Sequence, residues 1–433
     1  MAIFKIKGGV SLKGNIIPQG AKNEALQVLS AVLLTPEKVR IKNIPNIKDV
    51  KKLIFTLNNI GVKIKKNGEN DYTFEAKKIN FKYIFSKKFL EDTSFIRGSI
   101  LITGPLLGRF KKVFFPKPGG DKIGRRRIDT HFKGLISLGA TYKYYDNGYY
   151  KLEAKQLIGK DILLEEASIT GTANTIMASI FAKGRTIIYN AACEPYIQQL
   201  CKMLNCMGAK ISGIGSNLLI IHGINYLNGC EHNILPDMVE IGSWIGLAAV
   251  TNSEITIKNV SWNNLGIIPN TFRKMGINLK KINDDIYIPK HKNYSIQKFM
   301  DGSMLSISDS PWPGLTPDLL SILLVVAIQA QGSVLIHQKM FESRLFFAEK
   351  LIDMGAQIIL CDPHRAVVIG LNKKFSLRAN TLISPDIRAG LSFIIAALSA
   401  TGYSYIHNIE QIDRGYENID KRLISLGADI VRM

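Results

Sequence analysis

The chain has 433 residues, of which 46% are hydrophobic and 21% are charged, values typical of a folded protein with a large buried core. This composition excludes a disordered, collagen-like or disulfide-stapled chain, and the length predicts roughly two to three domains. The 56 basic and 35 acidic residues give a net charge of +21, so an anionic partner or substrate has to be considered.

One short phrase recurs six times along the chain. In each copy a helix-periodic apolar run leads to a glycine, and an alternating strand pattern follows. The glycine suits the left-handed position after a helix, so every copy predicts a helix, a glycine cap and a strand. The six glycines are Gly61, Gly139, Gly208, Gly276, Gly355 and Gly427.

The repeats predict an α/β protein in which two bodies each contain three units. Glycines and a proline interrupt the pattern between residues 220 and 237, so we place the boundary there and expect a ligand cleft between the bodies. Further helices are predicted over Asn23–Leu34, Asn174–Ala182, Pro317–Ala330 and Ile387–Ala400.

Four segments combine glycine, charge and an adjoining helix: residues 19–24, 116–131, 313–318 with 341–344, and 384–390 with 412–416. In the first, Asn23 is a predicted N-cap and Lys22 stands beside helix N–H groups that can bind an anion, although a capped helix with a surface lysine explains this segment equally well. The second is rich in glycine and cations, which favours a flexible lid that closes on phosphates over the alternative of a solvated turn. Asp318 suits a general base or an ordinary first-turn acid, and Arg388 and Arg414 suit carboxylate or phosphate binding or surface ion pairs.

Several other functions lack a signal in the sequence. Phosphate-loop, dinucleotide and H-E-x-x-H motifs are absent, and the seven histidines have no ligand-like spacing, so we expect neither a metal nor an organic cofactor. No apolar run is long enough for a membrane span and no signal peptide is evident, so we expect a cytoplasmic protein with reduced cysteines. The lysines are scattered, which favours a solvated background over a dedicated nucleic-acid surface, although a basic nucleic-acid-binding protein stays an alternative.

Six segments fall in the order found in one enzyme family: QGAKNEAL, PGGDKIGRRRIDTH, EASITGTANTIM, LPDMVEIGS, FESRLF and QIDRGYENID. Together they resemble the UDP-N-acetylglucosamine 1-carboxyvinyltransferases, which are enolpyruvyl transferases, over essentially the whole chain. The resemblance implies two similar domains, each of three βαβαββ units around a pseudo-threefold axis, an arrangement called an inside-out α/β barrel. It places residues 22–235, with a catalytic loop at 116–131, in the first domain and residues 1–21 with 236–433 in the second.

The implied reaction transfers the enolpyruvyl group of phosphoenolpyruvate to the 3′-hydroxyl of UDP-N-acetylglucosamine and releases phosphate, the first committed step of peptidoglycan synthesis. It proceeds by addition and elimination without a cofactor. By resemblance, Asp121 is the general acid for C3, Asp318 takes or orients the hydroxyl proton, and Lys22 and Arg414 are also catalytic. The implied phosphoenolpyruvate contacts are Lys22, Asn23, Arg126, Arg344, Arg388 and Arg414. The implied UDP-N-acetylglucosamine contacts are Asn23, Arg97, Arg126, Arg127, Ile128, Asp129, Thr130, His131, Ser168, Thr170, Gly171, Asp318 and Met340.

Two residues depart from the usual pattern of the family. Asp121 stands where most members have cysteine, which predicts resistance to fosfomycin, an epoxide that alkylates that thiol. Glu166 replaces a basic residue, so one phosphate contact is expected to be lost or replaced. The shikimate-pathway enolpyruvyl transferases remain a second alternative, but their Asp-Lys-Ser and Asn-x-Gly-Thr signatures are missing at the matching places. The sequence leaves the oligomeric state open.

Overall fold

The computed structural model describes residues 2–121, 123–124, 126–145 and 148–433. They form an α/β protein in which helices and strands alternate along the chain. The predicted junction of helix, glycine and strand is confirmed in all six copies. Each of the six glycines has a φ between 85° and 107° and follows its helix by one or two positions. The helices before these glycines are Lys48–Ile60, Asp129–Ser137, Pro195–Cys206, Ile268–Lys274, Ala348–Asp353 and Ile419–Ser425.

A second set of six helices forms the buried interior. Every residue of Met238–Val250 and of Leu320–Gln329 is buried, because these segments are apolar around their whole circumference. The predicted helices agree in place with four members of this set, but the start at Asn174 is wrong, since Ser168 caps a helix that begins at Ile169. The set comprises Lys22–Ala31, Thr103–Phe110, Ile169–Ser179, Met238–Val250, Leu320–Gln329 and Ile387–Ser399.

The strands form six small sheets on the outside of these helices, and no closed barrel occurs among the described residues. Alternate strand residues are buried, as in Ser333–His337, so one face of each sheet packs on the interior helices. Five sheets have four strands, in which one parallel pair is extended by two antiparallel strands. The sixth sheet has only three strands. In place of a fourth strand, the chain before it forms the helix Lys87–Ser94 and the 3₁₀ helix Arg97–Ile102. The fold class expected from the sequence is therefore confirmed.

The chain divides into two compact units with three sheets each. The first unit comprises Gly20–Gly120 and Arg126–Leu235, and the second comprises Met1–Gln19, Asp121–Arg125 and Pro236–Met433.

The strands of each sheet are given in the order in which they pair. The sheets of the first unit are Lys210–Ser212, Leu218–His222, Arg185–Tyr189 and Asp161–Leu163; Cys230–Asn233, Lys38–Lys42, Asp71–Glu75 and Lys63–Gly68; and Lys112–Pro116, Tyr149–Glu153 and Thr141–Tyr145. Those of the second unit are Thr381–Ile383, Tyr403–His407, Phe4–Lys7 and Asp429–Arg432; Lys280–Ile282, Asp285–Ile288, Glu254–Ile257 and Lys13–Ile16; and Leu305–Ser308, Ser333–His337, Arg365–Ile369 and Gln357–Asp362. The remaining helical segments are Phe81–Ile84, Val32–Leu34, Trp262–Asn264, Pro317–Leu319 and Ile409–Arg414.

The loop at 116–131 is shared between the two units. The sequence places the whole loop in the first domain, whereas Asp121–Arg125 groups with the second unit in the structure. The physical reason is local bonding, since the Ile123 carbonyl accepts a hydrogen bond from the Ser343 N–H and Asp121 pairs with Arg414. Two cations of the predicted loop, Lys122 and Arg125, lie outside the described residues.

Candidate active site

His131 is the centre of a buried polar group in the first unit. Asn174 fixes the tautomer: its amide oxygen accepts from the Gly104 N–H at 2.8 Å, so its nitrogen must donate to Nδ1 of His131, also at 2.8 Å. The Nε2–H of His131 then donates to the Thr170 hydroxyl at 3.0 Å. Burial, assisted by the charge of Arg97, lowers the pKa of His131 to about 3, so the imidazole is neutral at physiological pH.

The predicted sugar-nucleotide residues around His131 are close to one another. Nη2 of Arg97 donates to the carbonyls of Arg126 and Arg127, at 3.1 and 3.0 Å. Thr130, next to His131, donates to the Glu166 carboxylate at 3.0 Å. The remaining members are Ser168, whose hydroxyl accepts from the Gly171 N–H, and Ile128 and Asp129 at the start of the helix Asp129–Ser137.

Glu166 takes part in the electrostatics of this group. Burial and the nearby charge of Arg126 lower the pKa of Arg97 to about 10, and Glu166 acts in the opposite direction. The acidic residue that departs from the family pattern therefore offsets part of the repulsion between two arginines. Its carboxylate accepts the hydrogen bond from Thr130, and the residue as a whole is exposed to solvent.

Lys22 and Asn23 lie in the first turn of the helix Lys22–Ala31. The prediction that Asn23 caps this helix is wrong: the helix begins one residue earlier, after Ala21, and no side chain caps it. The ammonium group of Lys22 lies 2.6 Å from the Asp49 carboxylate, and both side chains are about nine-tenths buried. Sequence reasoning missed Asp49, whose only signal is an acid in the first turn of the next helix.

In the second unit, Asp318 brings two predicted arginines together. Arg344 donates from Nη2 to one oxygen of Asp318 at 2.5 Å, and Arg388 donates from Nε to the other at 3.1 Å. Burial opposes the charge of Arg388, but Tyr416 and Asp318 outweigh it and raise the pKa of Arg388 well above its usual value. The Nε of Arg344 is buried without a hydrogen-bond partner in the described part of the chain, so this guanidinium keeps one donor that the described residues do not use.

Arg414 and Asp121 form an ion pair in the same unit, and Arg414 also donates to the Gln411 side chain at 2.7 Å. Close packing holds the neighbouring part of the loop. A Cβ atom at Gly124, whose φ is 121°, would come within 2.2 Å of the Glu342 carboxylate. The positive φ, together with the Glu342 backbone nitrogen at 3.0 Å from such a Cβ, favours glycine where the loop approaches the segment that carries Arg344.

Met340 lies in a turn that is organised by a residue the sequence did not single out. Asp309 is fully buried and accepts from the Gln338 amide at 2.5 Å and from the N–H groups of Lys339 and Met340, at 2.5 and 3.2 Å. Burial raises the pKa of Asp309, although the two N–H bonds favour its charged form. Its only sequence signal is an acid directly after the strand Leu305–Ser308.

The described residues provide neither a candidate metal cluster nor a candidate membrane span. They contain no group of three or more His, Cys, Asp or Glu side chains that could hold a metal ion. None of their helices has both the length and the apolar character needed to cross a membrane.

The family model, the similar sequences and the similar solved structures all point to the same group of enzymes. Residues 6–423 match the family model of EPSP synthase (3-phosphoshikimate 1-carboxyvinyltransferase). The chain is 61% identical to the UDP-N-acetylglucosamine 1-carboxyvinyltransferases of Bacteroides thetaiotaomicron and Porphyromonas gingivalis, over 100% of both chains in each case. Among solved structures, the enolpyruvyl transferase NikO from Streptomyces tendae has a TM-score of 0.88 at 19% identity and covers 100% of this chain and 99% of its own. EPSP synthase from Acinetobacter baumannii has a TM-score of 0.74 at 18% identity, with 100% of both chains covered.

Proposed function

This chain belongs to the enolpyruvyl transferase family, and on that premise we propose that it transfers the enolpyruvyl group of phosphoenolpyruvate to the 3′-hydroxyl of UDP-N-acetylglucosamine. The enzyme is a transferase, and the product is the first committed precursor of peptidoglycan. The choice of acceptor rests on the full-length relatives, which are 61% identical to this chain, whereas the solved EPSP synthase is 18% identical to it.

The observation that carries the proposal is the pair of arginines gathered on Asp318. Arg344 and Arg388 are both largely buried and share this one carboxylate, so two guanidinium groups are held beside each other, which supports the proposal. Phosphoenolpyruvate has a phosphate and a carboxylate, and planar guanidinium groups bind both in a bidentate manner. We assign its binding to Lys22, Asn23, Arg126, Arg344, Arg388 and Arg414.

The sugar nucleotide is assigned to the hydrogen-bonded group around His131. A neutral imidazole at this place keeps Thr170 oriented without adding charge, while the nearby arginines supply the attraction for a diphosphate. Asn23, Asp318 and Met340 complete the assignment. The full set of proposed contacts is Asn23, Arg97, Arg126, Arg127, Ile128, Asp129, Thr130, His131, Ser168, Thr170, Gly171, Asp318 and Met340.

The chemistry is an addition followed by an elimination. The 3′-hydroxyl oxygen bonds to C2 of phosphoenolpyruvate, Asp318 takes or orients the hydroxyl proton, and Asp121 delivers a proton to C3. The tetrahedral intermediate then loses a proton from C3 and releases inorganic phosphate. Lys22 and Arg414 stabilise the charge on the phosphate as it departs.

The proposed acid role of Asp121 requires a change from the arrangement in this structure. Its carboxylate accepts a hydrogen bond from Arg414, whereas a general acid must itself carry a proton. Arg414 is therefore expected to leave Asp121 for the phosphate of bound phosphoenolpyruvate. This exchange links substrate binding to the availability of the acid.

The setting of the reaction is also part of the proposal. We assign the enzyme to the cytoplasm, with no cofactor and no specific nucleic-acid partner. The division into domains at residues 21/22 and 235/236 and the cleft between the domains stay predictions from the sequence.

The test is release of phosphate from phosphoenolpyruvate by the full chain, with UDP-N-acetylglucosamine or shikimate 3-phosphate as acceptor. We expect release only with the sugar nucleotide and no effect of a chelator. Release with shikimate 3-phosphate alone would assign the enzyme to the other branch of the family. No release with either acceptor would refute the proposed reaction.

A further inference from the structure

We propose that Tyr416 is a positioning residue that holds the guanidinium of Arg388 in the orientation needed to bind phosphoenolpyruvate. The inference rests on the proposed function and extends it to a residue that has no assigned role. Tyr416 lies in the QIDRGYENID segment, two positions after Arg414. It is only 1% exposed, so its hydroxyl needs a hydrogen-bond partner within the protein.

The hydroxyl of Tyr416 is one step in a directional chain of hydrogen bonds. Nη1 of Arg388 donates to the Tyr416 oxygen at 2.8 Å. The Ser243 hydroxyl lies 3.5 Å from the same oxygen and donates its own proton to the Val239 carbonyl at 2.8 Å. Because a guanidinium can only donate, the phenolic proton points away from Arg388 towards Ser243.

The aromatic ring adds a second constraint on the same guanidinium. The carbon of the Arg388 head group lies 5.3 Å from the centre of the Tyr416 ring, within the range of a cation–π contact. Arg388 is itself only 4% exposed, so both contacts are made out of reach of water. The phenol and Asp318 therefore bind different nitrogens of Arg388 and fix the plane of its head group.

The backbone on both sides of Tyr416 is held by a single amide. The side-chain nitrogen of Gln19 donates to the Gly415 carbonyl at 2.8 Å, and its side-chain oxygen accepts from the Glu417 N–H at 2.7 Å. Gln19 is only 7% exposed. Its hydrogen bond to Gly415 is buried, and its hydrogen bond with Glu417 is partly buried. Tyr416 thus has a fixed backbone as well as a fixed ring, which is what a positioning residue requires.

The experiment compares Tyr416→Phe with Tyr294→Phe in the phosphate-release assay. Tyr294 is the matched control, since it is also a buried tyrosine of the second unit, and its hydroxyl donates to the Val326 carbonyl at 2.7 Å rather than to a binding residue. We expect Tyr416→Phe to lower kcat/KM for phosphoenolpyruvate about tenfold to hundredfold, the range for a lost hydrogen bond to a charged group. The KM for UDP-N-acetylglucosamine should change by less than about twofold, and Tyr294→Phe should leave both constants near the wild-type values.

A double variant separates positioning from a general loss of stability. In an Arg388→Lys background the guanidinium is gone, so adding Tyr416→Phe should lower kcat/KM for phosphoenolpyruvate by less than about twofold further. Equal effects of Tyr416→Phe and Tyr294→Phe, or additive effects of the double variant, would overturn the inference. Because wild-type activity is measured in the same series, its absence would refute the proposed function instead, and the two failures remain distinct.

Discussion

Acidification below pH 6.5 should destabilise the first unit through His131. The imidazole is 3% exposed, accepts a hydrogen bond from Asn174 and donates one to Thr170, an arrangement that only the neutral ring can make. Its pKa in the folded chain is about 3, whereas an unfolded histidine titrates near 6.5. Between these two values the unfolded chain binds the extra proton, so stability is present above pH 6.5 and is lost as the pH falls towards 3.

The size of the effect follows from the difference between the two pKa values. Each pH unit in that window changes the free energy of unfolding by about 1.4 kcal/mol. At pH 5, roughly 1.5 units below the unfolded value, the loss due to His131 is about 2 kcal/mol relative to neutral pH. Other groups also titrate in this range, so the effect has to be measured as a difference between variants.

The assay is urea unfolding followed by far-ultraviolet circular dichroism at pH 7 and pH 5. In His131→Asn the side-chain oxygen can still accept from Asn174, but nothing at this position titrates, so the loss of stability between the two pH values should be about 2 kcal/mol smaller than in the wild type. His222→Asn is the control, because His222 is exposed at the end of a strand in the same unit. An equal pH-dependent loss in His131→Asn and the wild type would refute a buried neutral imidazole.

Three further outcomes are expected. Lys22→Ala should lower the rate of phosphate release at least about 10²-fold, while the exposed-lysine control Lys202→Ala stays at the wild-type rate; wild-type-like activity without Lys22 would remove this residue from the site. The native protein should stay active in fosfomycin, whereas Asp121→Cys should keep its activity and become sensitive, because a carboxylate is a far poorer nucleophile than a thiolate towards the epoxide; a drug adduct on the native chain in intact mass spectra would contradict this. DNA binding, measured by fluorescence anisotropy, should be weak and vanish by about 0.2 M salt, as expected for scattered lysines; nanomolar binding at that salt would favour the nucleic-acid-binding alternative.

Much of the fold could be predicted because its signals are local. A helix before Gly139 or Gly355 is read from residues within three or four turns, and the left-handed cap depends on the glycine itself. The interior helix Leu320–Gln329 was likewise visible as an apolar run that Ser321 interrupts only once before Gln329. The 3₁₀ helix Arg97–Ile102 and the missing strand of the sixth sheet were not predicted, since pairing between distant strands decides which repeat completes its sheet.

The sequence by itself determined the six-fold repeat, the fold class and the residue types of the candidate site, because periodicity, glycine positions and motif order are properties of neighbouring residues. Only the tertiary structure decided the partner of each charge. Asp121 meets Arg414 across 293 positions, and Asp318 meets Arg388 across 70. The buried tyrosine Tyr416 gains its contact with Arg388 in the same way. A buried charge needs a partner, but the side chain that is near enough to serve depends on packing between distant segments, and no local pattern encodes that distance.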